Sequence, residues 1–222
     1  MNNNTPRAFA THGIHEKSIE IIKGVLESKE SPKILIASAG SGNFEKQLVE
    51  TLSVNPKDIT PLDINGDTYS YDLTKPNFVL ADLNNPLPFD DEAFDLIICI
   101  ETIEHISYTW QLLREFSRVT KVGGNVFITS PNCESFAARL FFLVKGILPA
   151  FQQVDFDKSG HITPFFSWVL KYFLEALPLQ IVSYDSHSFH AWIIPYVWKV
   201  RVPMKSILFA ETNMWLLKKK EA

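Results

Sequence analysis

Apolar positions in the first 130 residues alternate between two spacings. Short, mostly apolar runs typical of buried strands occupy five segments, which are 34–37, 59–64, 78–81, 94–100 and 125–130. Apolar residues at helical spacing lie between these runs, with amphipathic patterns at 18–27, from Phe44 to Leu52 and at 110–119. Strands that alternate with helices in this way predict a doubly wound, mostly parallel sheet with helices on both faces.

The pattern changes after Pro131. Residues 135–151 are largely apolar but carry Arg139 and Lys145, so this segment is not expected to span a bilayer. Helical spacing returns from 166 to 177. Two strand-like runs, 181–183 and 213–217, close the chain, and an aromatic stretch with Trp192, Tyr196 and Trp198 joins them. The predicted fold class is therefore α/β, a Rossmann-like, seven-stranded α/β/α sandwich.

Length and composition fit one globular domain. The chain has 222 residues, of which 46% are hydrophobic and 21% charged. Because repeats and linkers are absent, we predict a single domain over 1–222, with 133–165 as a lid or substrate-side insertion. The formal net charge of −4 gives no general basic field, so no nucleic-acid partner is expected. A polar N-terminus without the apolar core of a secretory signal predicts a cytoplasmic protein.

Two cysteines bear on the redox state and on metal binding. Cys99 and Cys133 stand in apolar or loop sequence without CxxC or Cys/His spacing. This arrangement predicts reduced thiols and no metal site.

Polar residues at the carboxyl ends of the predicted strands form the candidate site, because open parallel sheets bind ligands at this edge. Gly40 and Gly42 follow the first strand and can take the positive φ that lets a ligand approach the backbone. Asp63 ends the second strand, where a carboxylate can accept hydrogen bonds from both hydroxyls of a ribose. Asp82 ends the third strand. Each feature alone also fits a tight turn or a helix cap, whereas their joint order is specific.

A longer set of motifs runs through the same region. It comprises ADL at 81–83, LPF at 87–89, FDLI at 94–97, IETIEHI at 100–106 and LLREFSRV at 112–119, followed by Gly123 and Gly124. In these motifs the chain resembles the class I S-adenosylmethionine-dependent methyltransferases, particularly the small-molecule group that includes ubiquinone-biosynthesis O-methyltransferases. The resemblance covers residues 30–132, and weaker similarity continues at 161–165.

The resemblance implies a methyltransferase with S-adenosylmethionine as cofactor and S-adenosylhomocysteine as product. The cofactor-binding residues that it implies are Ser38, Ala39, Gly40, Gly42, Asp63, Ile64, Asp82, Leu83, Ile100, Glu101 and Thr102. The first four would line the methionine part through their backbone. Asp63 would hold the ribose hydroxyls, and Ile64 would lie against the adenine. Asp82 would accept a hydrogen bond from the adenine amino group, and Leu83 would contact the ring. Residues 100–102 would lie beneath the methionine and sulfonium.

The first motif departs from the family pattern. Ile36 stands where the family has an acidic residue, and Ser38 stands where a glycine opens the turn. The methionine ammonium is then left to another group, such as Glu101 or a backbone carbonyl. A methyltransferase-fold binding protein without turnover is therefore the alternative. A nicotinamide oxidoreductase is disfavoured because Glu45 occupies the third glycine position of GxGxxG.

Two histidines are candidate catalytic residues. Methyl transfer depends chiefly on positioning, but a hydroxyl acceptor gains from a base that removes its proton. His105 and His161 are the candidates, because imidazole titrates in the useful range. Each also fits a structural role, His105 at a helix start behind Glu104 and His161 as the tether of a loop.

Acceptor recognition is predicted for 133–165 and for the aromatic stretch 189–198, since the first half of the chain is occupied by the cofactor. Apolar side chains in the first of these segments include Phe136, Phe141, Phe142, Leu143 and Phe151. They favour an apolar, lipid-linked or sugar acceptor, and peripheral contact with a membrane surface stays open. Packing of the same residues on the sheet as core is the competing interpretation. The atom that receives the methyl group and the oligomeric state are left open.

Overall fold

A twisted sheet runs through the computed structural model, which describes residues 13–70, 77–194, 198–201 and 207–221. The strands are β1 (Ile34–Ala37), β2 (Ile59–Asp63), β3 (Val79–Leu80), β4 (Phe94–Cys99), β5 (Thr120–Pro131), β6 (Leu179–Ile194), β7 (Trp198–Arg201) and β8 (Ala210–Lys219). Their order is β3-β2-β1-β4-β5-β8-β6-β7. The first five strands in this order pair in parallel, and β8 runs antiparallel to both β5 and β6.

The predicted seven-stranded, Rossmann-like sheet is confirmed, with one addition at its edge. Among the described residues, the short strand β7 pairs with the far end of β6, where Ala191 lies opposite Val200. The two strands form an antiparallel hairpin that extends the sheet beyond its seventh strand.

Helices cover both faces of the sheet, as the alternation of strands and helices predicts. The helices are α1 (Ile14–Glu27), α2 (Asn43–Leu52), α3 (Thr109–Val119), α4 (Phe136–Lys145), α5 (Gln153–Ser159) and α6 (Ser167–Glu175). One apolar core joins α1 and α2 to the sheet through side chains such as Ile22, Leu48 and Phe127. The other core joins α3 and α6 to the opposite face through Phe116 and Leu170.

The order of β2, β1 and β4 fixes where a ligand can enter. Consecutive strands extend the sheet from β1 towards β3, and the chain then returns so that β4 pairs with the other side of β1. In the register, Ile36 of β1 lies opposite Pro61 on one side and Ile98 on the other. Strand order therefore reverses between β1 and β4, which is the switch point where α/β sheets open a crevice.

Several boundaries differ from the sequence prediction. Helix α1 begins at Ile14 rather than near Ser18. Strand β6 spans Leu179–Ile194 instead of the predicted 181–183, because pairing with β8 extends along most of its length. Of the aromatic stretch, Trp192 belongs to β6 and Trp198 to β7, whereas Tyr196 lies outside the described residues.

The apolar segment after β5 contains α4 and part of the loop that leads to α5. Of the α4 residues only Ala138 is buried, while Phe136, Phe142 and Leu143 are 56%, 52% and 81% exposed. Packing of these three side chains as core is therefore wrong. Within the described part of the chain, none of the helices has the length and apolar character that crossing a bilayer requires.

Candidate functional site

A cavity of about 420 Å³ opens at the switch point between β1 and β4. Its wall comprises the start of α1 (13–16), the end of β1 with the following turn (36–41), the first turns of α2 (Asn43, Phe44 and Gln47) and the end of β4 (Ile98, Ile100 and Glu101). A volume of this size lies within the range of small-molecule pockets. The edge of the sheet predicted to bind a ligand therefore carries a crevice.

The turn that follows β1 is held by the neighbouring strand. The backbone N–H groups of Ser38 and Ala39 both donate to the carbonyl oxygen of Leu62, over 2.8 and 2.9 Å. Ser38 adopts φ 69°, a left-handed conformation that normally favours glycine. Ser38 therefore adopts a backbone conformation that glycine reaches without strain.

Gly40 lies at the top of this turn, with φ 56°. A Cβ atom built at this position would meet no atom within 4 Å, so open space lies directly above the backbone. A ligand can approach the peptide groups here more closely than it could approach a residue with a side chain.

Asp63 joins the ends of β1 and β2. Its Oδ2 accepts a hydrogen bond from the Gly40 N–H at 2.8 Å, and its Oδ1 accepts one from the Asn65 N–H at 3.0 Å. The residue is only 9% exposed, whereas the adjacent Ile64 is 68% exposed. A carboxylate oxygen has more than one lone pair, so Asp63 can accept further bonds from a hydroxylated ligand while it holds the turn.

Asp82 lies in the turn after β3. Its Oδ1 accepts hydrogen bonds from the backbone N–H and the side-chain amide of Asn84, over 2.9 and 3.0 Å. The next residue, Leu83, is buried. This carboxylate therefore shapes its own turn, with hydrogen bonds typical of a turn rather than of a helix cap.

Glu101 follows β4 and forms part of the cavity wall. Its backbone N–H donates to the Thr129 hydroxyl, which in turn donates to the Glu101 carboxylate at 3.0 Å. Burial raises the pKa of this carboxyl group to about 7, against the opposing effect of the Thr129 hydrogen bond. Thr102 is buried beside it and donates its hydroxyl to the Ile100 carbonyl.

The predicted cofactor residues divide into two groups by position. Among the described residues, the cavity wall includes Ser38, Ala39, Gly40, Ile100 and Glu101. The remaining six, Gly42, Asp63, Ile64, Asp82, Leu83 and Thr102, lie outside that wall, at or near the same edge of the sheet. The structure thus brings five of the seven residues predicted for the methionine side together around one cavity, and leaves Gly42 and Thr102 outside its wall.

Sequence reasoning missed the start of α1 as part of this cavity. Gly13, Ile14, His15 and Glu16 all line it, and Ile36 forms part of the wall at the position where the family has an acid. A glycine directly before an apolar helical pattern is a helix-start signal that could have extended the predicted helix towards its true beginning. The spacing of apolar residues along the sequence could not show that the start of this helix faces β1 and β4.

The two candidate histidines lie side by side, although 56 positions separate them in the chain. Their ring centroids are 4.8 Å apart and the rings are inclined at 66°. His105 Nδ1 lies 3.2 Å from the Gly160 carbonyl oxygen, and His161 Nδ1 lies 2.6 Å from that of Ala150. Because a carbonyl oxygen only accepts, each Nδ1 carries the hydrogen, and Nε2 of the neutral ring keeps its lone pair.

Electrostatics around this pair favour neutral groups. Burial lowers the pKa of His105, against the raising effect of the Gly160 and Glu101 backbone carbonyls. Glu104 is fully buried, and burial together with the nearby Glu101 raises the pKa of its carboxyl group well above the usual range. Away from the two histidines, the carboxyl group of Glu45 in α2 is also buried, and burial raises its pKa to about 7.

Comparison with known proteins shows the fold and a likeness to one family. Residues 35–128, fewer than half of the chain, match a family described as a methyltransferase domain. The chain's solved structural neighbours include a chain of the complex between the Haloferax volcanii Trm112 methyltransferase activator and a methyltransferase, with a TM-score of 0.65 and 18% identity over 95% of this chain and 92% of that one.

Two further comparisons show a similar fold and a similar sequence. A SAM-dependent methyltransferase from Archaeoglobus fulgidus gives a TM-score of 0.60 at 19% identity, over 93% of this chain and 94% of that one. The curated ubiquinone biosynthesis O-methyltransferase of Hydrogenovibrio crunogenus is 28% identical over 130 residues, which are 55% of this chain and 52% of that protein. The chain thus spans about half the length of the curated relatives that it matches.

Proposed function

We propose that this domain is a methyltransferase that binds S-adenosylmethionine in the cavity between β1 and β4 and transfers its methyl group to a small-molecule, lipid-linked or sugar acceptor. The observation that carries the proposal is the cavity itself, which lies at the switch point and is bordered by the turn 38–41 and by Glu101. The open space above Gly40 fits a ligand that approaches the backbone closely.

The contacts around Asp63 support a role in holding the ribose. The carboxylate is fixed by the Gly40 and Asn65 N–H groups, so it needs little reorganisation to accept hydrogen bonds from two neighbouring hydroxyls. The exposed Ile64 offers an apolar surface to an adenine ring. We assign Asp82 and Leu83 to the far side of that ring, as the family resemblance implies.

The ammonium group of the methionine part needs an anionic partner other than residue 36. Ile36 is apolar and only 4% exposed, whereas Glu16 and Glu101 bring carboxyl groups to the same cavity wall. We propose Glu101 for this role because its carboxylate is already oriented by Thr129. The left-handed backbone at Ser38 argues against a collapsed turn, so a domain without cofactor binding is not favoured.

When bound, S-adenosylmethionine supplies a methyl group on a sulfonium, whose sulfur leaves as the thioether of S-adenosylhomocysteine when the acceptor atom bonds to the methyl carbon. The chain's own contribution is to orient the acceptor and to take its proton. His105 and His161 can each accept that proton at Nε2, because each Nδ1 donates to a backbone carbonyl. Their presence favours a hydroxyl acceptor, which must lose a proton during the transfer.

We place acceptor recognition in 133–165. Exposed Phe142 and Leu143 give this segment an apolar surface, and His161 lies near its end. An apolar or amphipathic acceptor would bury some of that surface.

The test is calorimetric titration of the purified chain with S-adenosylmethionine and, separately, with S-adenosylhomocysteine. We expect micromolar binding that weakens about tenfold or more in Asp63→Ala, because charge-assisted hydrogen bonds are lost. Asp67→Ala is the matched control, since this exposed aspartate lies four residues away in the following loop. Melting temperatures of both variants separate lost contacts from a disrupted turn. The proposal would be contradicted if neither S-adenosylmethionine nor S-adenosylhomocysteine bound at millimolar concentration.

A further inference from the structure

A short 3-10 turn at Ile103–His105 and the segment after α5 bring three side chains together. One potential ligand atom from each of Glu104, His105 and His161, a carboxylate oxygen or an imidazole nitrogen, lies within 4.8 Å of the other two. Backbone bonds hold the segments in this position: the N–H groups of Ile162 and Thr163 donate to the Glu104 carbonyl over 3.0 and 2.9 Å. The Thr163 hydroxyl adds a bond of 2.7 Å to the Ile106 carbonyl.

The Glu104 side chain is the carboxyl member of this cluster. It is completely buried, and neither carboxylate oxygen has a hydrogen-bond partner among the described residues. Burying a carboxyl group without a partner is unfavourable, and buried charges are normally paired or bound to a metal. The position of Glu104 beside two imidazoles therefore requires an explanation that packing alone does not give.

The two imidazoles are oriented as metal ligands are. A metal-binding histidine typically donates its second ring N–H to a carbonyl or carboxylate, which fixes the tautomer and turns the other nitrogen towards the ion. Here the Nδ1 atoms of His105 and His161 bond to the carbonyls of Gly160 and Ala150. Both rings are half-buried, whereas Glu104 is completely buried.

We propose that Glu104, His105 and His161 bind one divalent transition-metal cation, through a carboxylate oxygen and the two Nε2 atoms. Two nitrogen ligands and one oxygen favour Zn²⁺, Co²⁺ or Fe²⁺ over Mg²⁺ and Ca²⁺, which prefer oxygen ligands alone. Three protein ligands leave coordination positions open, as in catalytic rather than structural sites. A small inward movement of the side chains brings atoms within 4.8 Å to the spacing of ligands around one ion.

This site goes beyond the proposed methyl transfer and does not depend on it. If both hold, a hydroxyl bound to the cation has a lowered pKa, and the cation takes over the role given above to the histidine bases. The same Nε2 lone pairs cannot serve as metal ligands and as proton acceptors at once, so the two roles are distinguishable by experiment.

The experiment uses the untagged 222-residue chain, treated with a chelator that is then removed, with no S-adenosylmethionine present. Calorimetric titration with Zn²⁺ and with Mg²⁺ gives stoichiometry and affinity, and the visible absorption of added Co²⁺ reports the number and geometry of its ligands. We expect one equivalent of Zn²⁺ to bind, at least tenfold more tightly than Mg²⁺, and Co²⁺ bands of a four- or five-coordinate site.

Three variants decide whether the bound ion lies in this cluster. Glu104→Gln and His161→Asn should each weaken Zn²⁺ binding at least tenfold and change the Co²⁺ spectrum. His15→Asn is the control, because His15 is a half-buried histidine that packs on Phe44, in α2, rather than in the cluster. His161 lies in a loop, so its variant remains informative if Glu104→Gln fails to fold.

Two outcomes would overturn the proposal. One is no binding of Zn²⁺ at 1:1 stoichiometry, and the other is equal affinity in the wild type, His161→Asn and His15→Asn. Because the titrations contain no S-adenosylmethionine, these outcomes leave the proposed cofactor binding to be judged by its own titration.

Discussion

Helices α3 and α4 flank β5, have nearly equal lengths of 11 and 10 residues, and use their apolar side chains in opposite ways. Helix α3 buries Leu112, Leu113, Phe116 and Val119 against the sheet. Helix α4 exposes most of its apolar residues and buries only Ala138. Apolar content alone therefore does not reveal whether a helix supports the fold or presents a surface, and this difference separates the core of the domain from its proposed acceptor side.

The largest effect expected from this comparison comes from Phe116→Ala. The ring is completely buried in the core beneath α3, so its removal leaves a cavity and should lower the free energy of unfolding by about 3–5 kcal/mol. Urea unfolding followed by circular dichroism measures the change. A loss below about 1 kcal/mol would mean that α3 is not part of the cooperative core.

The buried carboxyl group of Glu45 in α2 extends the comparison of buried with exposed side chains from apolar to ionisable groups. The carboxyl group of Glu45 is 1% exposed, neither of its oxygens has a hydrogen-bond partner among the described residues, and burial raises its pKa to about 7. A raised pKa in the folded state means that folding favours the protonated form. The associated stability is complete below the unfolded pKa of 4.5 and is lost as pH rises through 7.

We therefore expect Glu45→Gln to remove part of the pH dependence of stability. Between pH 5 and 8 the wild type should lose roughly 2–3 kcal/mol more unfolding free energy than the variant. Glu50→Gln, at an exposed position of the same helix, is the matched control and should follow the wild type. Parallel stability curves for the wild type and Glu45→Gln would show that Glu45 does not titrate in this range.

The smallest effect on stability is expected on α4. Leu143 is 81% exposed, so Leu143→Ser should change the unfolding free energy by less than about 0.5 kcal/mol. If α4 contacts the acceptor, the same variant should raise KM for an apolar acceptor and leave S-adenosylmethionine binding unchanged. A loss of several kcal/mol would show that α4 is held against the rest of the molecule through this residue.

The sequence by itself determined the alternation of strands and helices, the parallel sheet and the edge that carries the site. Continuous apolar runs such as β4 and amphipathic patterns such as α3 are local features, because side-chain spacing follows directly from strand and helix geometry. The glycine turn and the polar strand ends Asp63 and Asp82 were readable for the same reason. The roles given to those residues stay predictions until the binding of S-adenosylmethionine is measured.

Only the tertiary structure decided which distant groups meet. Pairing with β8 set the length of β6, and the start of α1 reached the cavity through its packing on the sheet. Two backbone bonds to the Glu104 carbonyl brought His161 to a turn 56 positions earlier in the chain, and spacing carries no information about that contact. Exposure of α4 was equally undetermined, because an apolar helix satisfies the same local pattern whether it faces a core or a ligand.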